Sequence, residues 1–123
     1  MTTHIKDKDG KLIDSSAVSS KPSDRHFRDA WAISGTVISE DMTKAKEMFK
    51  NKIREARKPL LEAQDVAYMK ALEADDSSAK TASVNKKKAL RDAPANSAIT
   101  NAKTIKKLKD AWDTSVLGTS PYA

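Results

Sequence analysis

From Ser39 onward the apolar positions of this chain fall into a helical rhythm. Met42, Phe49, Ala56 and Ala63 recur every seven residues, Ile53, Leu60 and Ala67 form a second seam of the same stripe, and Lys46 is the polar exception at its start. Ser39 or Asp41 caps the helix, with Glu40 and Asp41 placed where the positive end of the helix dipole favours acid. The stripe crosses Pro59 without losing phase. Proline lacks the backbone donor and clashes with the carbonyl four residues back, which predicts a kink there, or a break after Lys58, in a unit ending near Ala74. Unbroken, that unit would be about 54 Å long, too long for a small core to cover from both sides.

Asp75-Asp76-Ser77-Ser78 supplies a turn and a new cap, and Ala79 to Asp92 predicts a second helix ended by Pro94. Its apolar positions are mostly small (Ala79, Ala82, Ala89), with Val84 and Leu90 the large ones. Thr104 caps a last short helix carrying Ile105, Leu108 and Trp112 on one face.

Upstream of Ser39 the pattern is different. Asp9-Gly10 lies between Ile5 and the pair Leu12-Ile13, a cue for a two-residue hairpin turn. Ser15 to Ser23 predicts a flexible linker. Trp31 and Ile33, then Ser-Gly, then Thr-Val-Ile, suit a second short hairpin, with a single helical turn from Arg25 to Trp31 as the competing arrangement. The expectation is a mainly α fold: one long kinked helix or helical hairpin plus two shorter helices, with a small N-terminal β-hairpin or extended arm. Residues 1–21 form the arm or hairpin with its linker, 22–112 the helical domain, and 113–123 a flexible tail.

Composition sharpens this picture. Seven Leu, seven Ile, five Val and two Phe make 21 large apolar residues in 123, a thin core for one domain, so part of the stability is expected from association. Cysteine is absent, which removes disulfides, thiolate metal sites and cysteine nucleophiles together. There is no run of 18 apolar residues, and Met-Thr-Thr-His-Ile-Lys lacks the layout of a signal peptide. The expected place is the cytoplasm, or wherever an assembly carries the protein.

Chemistry finds little to build on. His4 and His26 are the two neutral-pH bases, neither beside a plausible nucleophile. Asp7-Lys8-Asp9-Gly10 has a superficial likeness to a calcium loop, but aligning Gly10 with the sixth position puts Ile5 at the first ligand site and Ser16 at the twelfth. Gly10, Gly35 and Gly118 are too few and too scattered for a phosphate-cradling loop. No catalytic, cofactor-binding or metal residue is therefore assigned, and no enzymatic activity is expected.

The net charge of +6 is concentrated in one segment: residues 77–112 hold nine Lys and Arg against Asp92 and Asp110. In a nucleic-acid-binding reading Lys86, Lys87, Lys88, Arg91, Lys106 and Lys107 would meet phosphates. A solvated lysine-rich face is favoured instead, because no aromatic residue interleaves the lysines and arginine appears there once. Phe27, Trp31 and Trp112 are core anchors in the simplest reading and partner-interface anchors in the other.

Several stretches resemble a group of small proteins encoded by tailed bacteriophages and prophages: residues Pro22 to Trp31, Asp41 to Lys46, Ile53 to Ala63, Ala71 to Glu73, Lys88 to Pro94 and Leu108 to Trp112. The last portion, with Leu90-Arg91-Asp92-Ala93-Pro94 before a short helix, is similar to the C-terminal region of phage tail assembly chaperones and tail-fibre-associated proteins. The resemblance implies a virion structural or accessory protein of the tail or tail-fibre module, made in the host cytoplasm and carried into the virion. The chain lacks the aspartate-tryptophan element of some tail chaperones, so a chaperone not retained in the virion is the alternative. A small basic nucleic-acid-binding protein is another. The expected partners are other phage structural proteins and a second copy of the chain, with neither nucleic acid nor membrane. The expected interface is Phe27, Trp31, Met42, Phe49, Ile53 and Leu60.

Overall fold

The computed structural model describes residues 4–122. Residues 1–3 of the expected arm and Ala123 of the expected tail lie outside that range. The fold is mainly helical with a small N-terminal β layer, as the apolar pattern predicts.

Strands β1 (His4–Lys6) and β2 (Leu12–Asp14) pair antiparallel with Ile5 opposite Ile13. Their turn has three residues rather than two. The Asp7 N–H donates to the Lys11 carbonyl at 2.9 Å, leaving Lys8, Asp9 and Gly10 as the loop, with Gly10 at φ +83°. A three-residue hairpin loop needs a left-handed residue at its end, and glycine takes that conformation without steric cost. Strands β3 (Trp31–Ser34) and β4 (Val37–Glu40) do have a two-residue turn, Gly35-Thr36, with Gly35 at φ +63°. The competing helical turn is present too, as one turn of 3-10 helix at Arg28–Ala30 that leads directly into β3.

The two hairpins are held together by the Asp7 carboxylate. Its Oδ1 accepts from the N–H groups of Asp9 (3.0 Å) and Lys11 (2.8 Å), and its Oδ2 accepts from Ile33 N–H across the gap at 3.1 Å. Lys8 N–H adds a bond to the Trp31 carbonyl. The serine-rich segment, expected to be a flexible linker, lies along β4: Ser19 N–H donates to the Thr36 carbonyl and the Ser20 carbonyl accepts from Ile38 N–H, each at 2.8 Å. Ile5, Trp31, Ile33 and Ile38 form the core of this layer, with Ile13 and Val18 against it.

Helix α1 (Met42–Glu73) is continuous through Pro59. Of the kink or break expected at this point, a break after Lys58 is absent because Pro59 sits on an exposed position, where water can reach the carbonyl that loses its donor. Asp41 caps the start, accepting from Lys44 N–H at 3.2 Å. The end is a Schellman motif: Asp76 N–H reaches the Ala71 carbonyl, Asp75 N–H reaches that of Leu72, and Asp75 takes the left-handed conformation at φ +53°. Asp76 then caps α2 (Ser77–Asp92), which returns alongside α1, with Ser83 and Leu90 as its buried positions. Three short helices follow, α3 (Ser97–Asn101), α4 (Ile105–Asp110) and α5 (Thr114–Leu117), capped by Asn96, Thr104 and Asp113.

The helical core gathers Phe27, Phe49, Ile53, Leu90, Ile99, Leu108, Trp112 and Leu117 around the first three turns of α1. The chain after Asp113, expected to be a flexible tail, folds back onto this core. Trp112 Nε1 donates to the Gly118 carbonyl at 3.1 Å, and the Tyr122 ring enters the cluster of Phe27, Phe49 and Trp112.

Candidate functional site

The residues expected to form an interface are used for the protein's own interior. Phe27, Phe49 and Ile53 are fully buried in the helical core, Trp31 is buried in the β layer, and Met42 and Leu60 pack half-buried against the helical core. The α3–α5 segment covers the stripe, which periodicity within α1 could not indicate. Lys46, the polar exception in that stripe, reaches out to donate to the Thr100 carbonyl of α3 at 2.8 Å.

The basic residues are not gathered on one face. Lys86, Lys87 and Lys88 are consecutive on α2 and so point about 100° apart. Lys87 pairs with Asp65 of α1 at 2.5 Å and lies 5.8 Å from the centre of the Tyr68 ring. Lys86 lines a recess with Leu60 and Gln64, and Arg91 lies in the last turn of α2, where the Leu90 and Arg91 carbonyls accept from Arg57 of α1. Lys106 and Lys107 stand exposed on α4, which packs on α1 rather than chiefly on α2.

One polar cluster escapes sequence reasoning because its members are far apart in the chain. Lys109 pairs with Asp24, whose other oxygen meets His26 Nδ1 at 2.9 Å, and Lys109 Nζ is also 2.9 Å from that nitrogen. Nδ1 gives its proton to Asp24 in one tautomer and accepts from Lys109 in the other. Burial pushes Asp24 up, but Lys109 and His26 outweigh it and hold the carboxyl below the usual aspartate range. Glu40 is raised, by burial and then by the nearby Asp24 charge, with Lys109 opposing. This cluster fastens the segment before β3 to α4. Among the described residues no three imidazole or carboxylate groups converge to hold a metal ion.

The feature that points outward is on the distal half of α1. Val66, Met69 and Leu72 are 55%, 53% and 48% exposed, and Ala63, assigned by periodicity to the inner stripe, is exposed with them. Spaced by three, these four residues form a ridge that winds about half-way round the helix, with Val66 and Met69 at its middle. On α2, Val84 is 50% exposed and sits one turn before Lys87. The bridge from Lys87 to Asp65 and Tyr68 therefore sets Val84 on the same side of the hairpin as Leu72. A surface of this kind, apolar at its centre and rimmed by Glu62, Lys70 and Glu73, has the layout of a protein contact.

Compared with protein-family models, curated proteins and solved structures, the chain matches none.

Proposed function

We propose that this chain is a non-enzymatic structural or accessory protein of a phage virion, in the tail or tail-fibre module, binding other virion proteins, and that the outer face of its helical hairpin is a docking surface. The observation that carries the docking role is the ridge Ala63, Val66, Met69 and Leu72, with Val84 beside it, left uncovered on a helix whose other half is enclosed. Covering these side chains would contribute on the order of 3–5 kcal/mol before association costs. The virion assignment is supported by the sequence stretches from Pro22 to Trp112 that resemble small tailed-phage proteins. The docking surface differs from the one that periodicity suggested, since the 42–60 positions are occupied by the protein's own short helices.

The test has two parts. Mass spectrometry of purified particles from the genome that encodes the chain should find it at stoichiometric levels, and Met69→Lys should reduce its incorporation about tenfold or more while its circular dichroism spectrum stays wild-type. Absence from the particle would leave a transient assembly role. Full incorporation of Met69→Lys would remove the ridge as the docking surface.

A further inference from the structure

We infer that the occupant of this face is a second copy of the chain, the two α1 helices crossing antiparallel about a two-fold axis at Val66. The inference rests on the reading of the ridge as a docking surface and adds its partner.

Glu62, Val66 and Lys70 are spaced by four and lie in line along the exposed side of α1. Neither Glu62 nor Lys70 takes an ion pair among the described residues. Their placement is symmetric in position and opposite in sign about Val66. When a second helix is laid antiparallel with its Val66 on the first, Glu62 of each copy meets Lys70 of the other, and the pair forms twice. The same operation keeps the apolar side chains together, with Met69 of one copy beside Met69 of the other on one flank of Val66 and Ala63 beside Ala63 on the opposite flank. A two-fold contact must be self-complementary in this way, every residue finding its partner on an identical surface.

The charges also select against two of the neighbouring arrangements. A parallel pairing in register would put Glu62 on Glu62, Lys70 on Lys70 and Glu73 on Glu73. Shifting the antiparallel pairing by one ridge position, so that Val66 meets Met69, would bring Glu62 against Glu73. Like charges facing one another select against both. The two helical turns involved are fewer than a standard stable interface engages, so the dimer is a concentration-dependent one.

Sedimentation equilibrium of the full chain across a thousandfold range of concentration should show its mass rising from one chain toward two. Val66→Lys should remain monomeric throughout, with an unchanged circular dichroism spectrum because the position is exposed. Glu62→Lys and Lys70→Glu should each weaken association about tenfold, and the two together should restore it to within about threefold. A wild-type monomer at all concentrations, a dimer indifferent to Val66→Lys, or a double variant no better than the singles would overturn the inference. A photo-crosslinking residue at position 66 separates this failure from failure of the docking role in producing cells. Crosslinking to the same chain supports the dimer, crosslinking to a different polypeptide defeats the dimer and keeps the docking role, and no crosslink defeats both.

Discussion

The ring of Tyr122 stacks on Phe27 with centroids 5.0 Å apart and planes 20° from parallel. It also stacks on Phe49 at 5.6 Å and meets Trp112 edge-on at 6.1 Å, so a residue beyond the last helix closes a cluster assembled from the segment before β3, α1 and α4–α5. Tyr122→Ala should cost about 2–3 kcal/mol of stability, and Phe27→Ala, in a fully enclosed position, about 3–5. Tyr122→Phe should be close to neutral. Burial, and secondarily Glu55, raises the phenol above its ordinary 10.0. In a Tyr68→Phe background, absorbance titration should place the remaining tyrosine above that value, and a tyrosine titrating at 10.0 would contradict the packing.

Stability should respond to acid in two opposed steps. Burial raises Asp7, but the N–H groups of Ile33, Lys11 and Asp9, helped by Lys8, more than offset it and hold the carboxyl below its ordinary 3.8. A carboxyl with a lower pKa in the folded state stabilises the fold above its unfolded value, and that contribution disappears as pH falls through the folded one. Glu40 has the opposite sign. It is raised above 4.5, so its ionised form costs stability at neutral pH, and the cost lifts as pH falls from the raised value toward 4.5. Glu40→Gln should therefore raise the melting temperature at neutral pH and lose that gain below about pH 4.5. Asp7→Asn should lower the melting temperature at neutral pH, the difference from wild type shrinking as pH drops below 3.8. Thermal melts across this pH range check both signs, and identical profiles for the three proteins would sink the account.

The α1–α2 turn carries the one non-glycine residue at positive φ among those described, Asp75. An aspartate tolerates this conformation less well than glycine does, and its ion pair with Lys80 is solvent-exposed and contributes little. Asp75→Gly should stabilise the protein by about 0.5–1 kcal/mol. Chemical denaturation with an unchanged slope and a higher midpoint is the expected result. A lower midpoint would mean that the exposed ion pair outweighs the backbone strain.

What the sequence discloses here depends on how local each signal is. Asp41, Asp76 and Thr104 are legible as caps because the N–H groups that they accept from lie within three residues. The Lys46 contact is not, because the Thr100 carbonyl it reaches is 54 residues away. Periodicity finds Phe49 and Ile53 as one face of a helix and cannot tell whether that face meets the protein itself or a partner. Trp112 and Tyr122 answer the question from the far end of the chain. Val66 and Met69 are not legible for the complementary reason. They lie off the inner stripe, and they matter because the short helices that cover the proximal turns stop before reaching them.

Helix α1 is thus supported very unequally along its length, enclosed around Ala45, Phe49 and Ile53 and backed by a single neighbouring helix around Val66 and Met69. Backbone amides report this directly. Those near residues 45–57 should exchange with solvent deuterium only through global unfolding, while those of residues 62–72 should exchange about tenfold faster or more through local opening. Uniform protection along the helix would contradict this division. One continuous element thereby combines a fixed root with a compliant end, and the compliant end can adjust its pitch or bend to a neighbour's surface without loosening the core that anchors it.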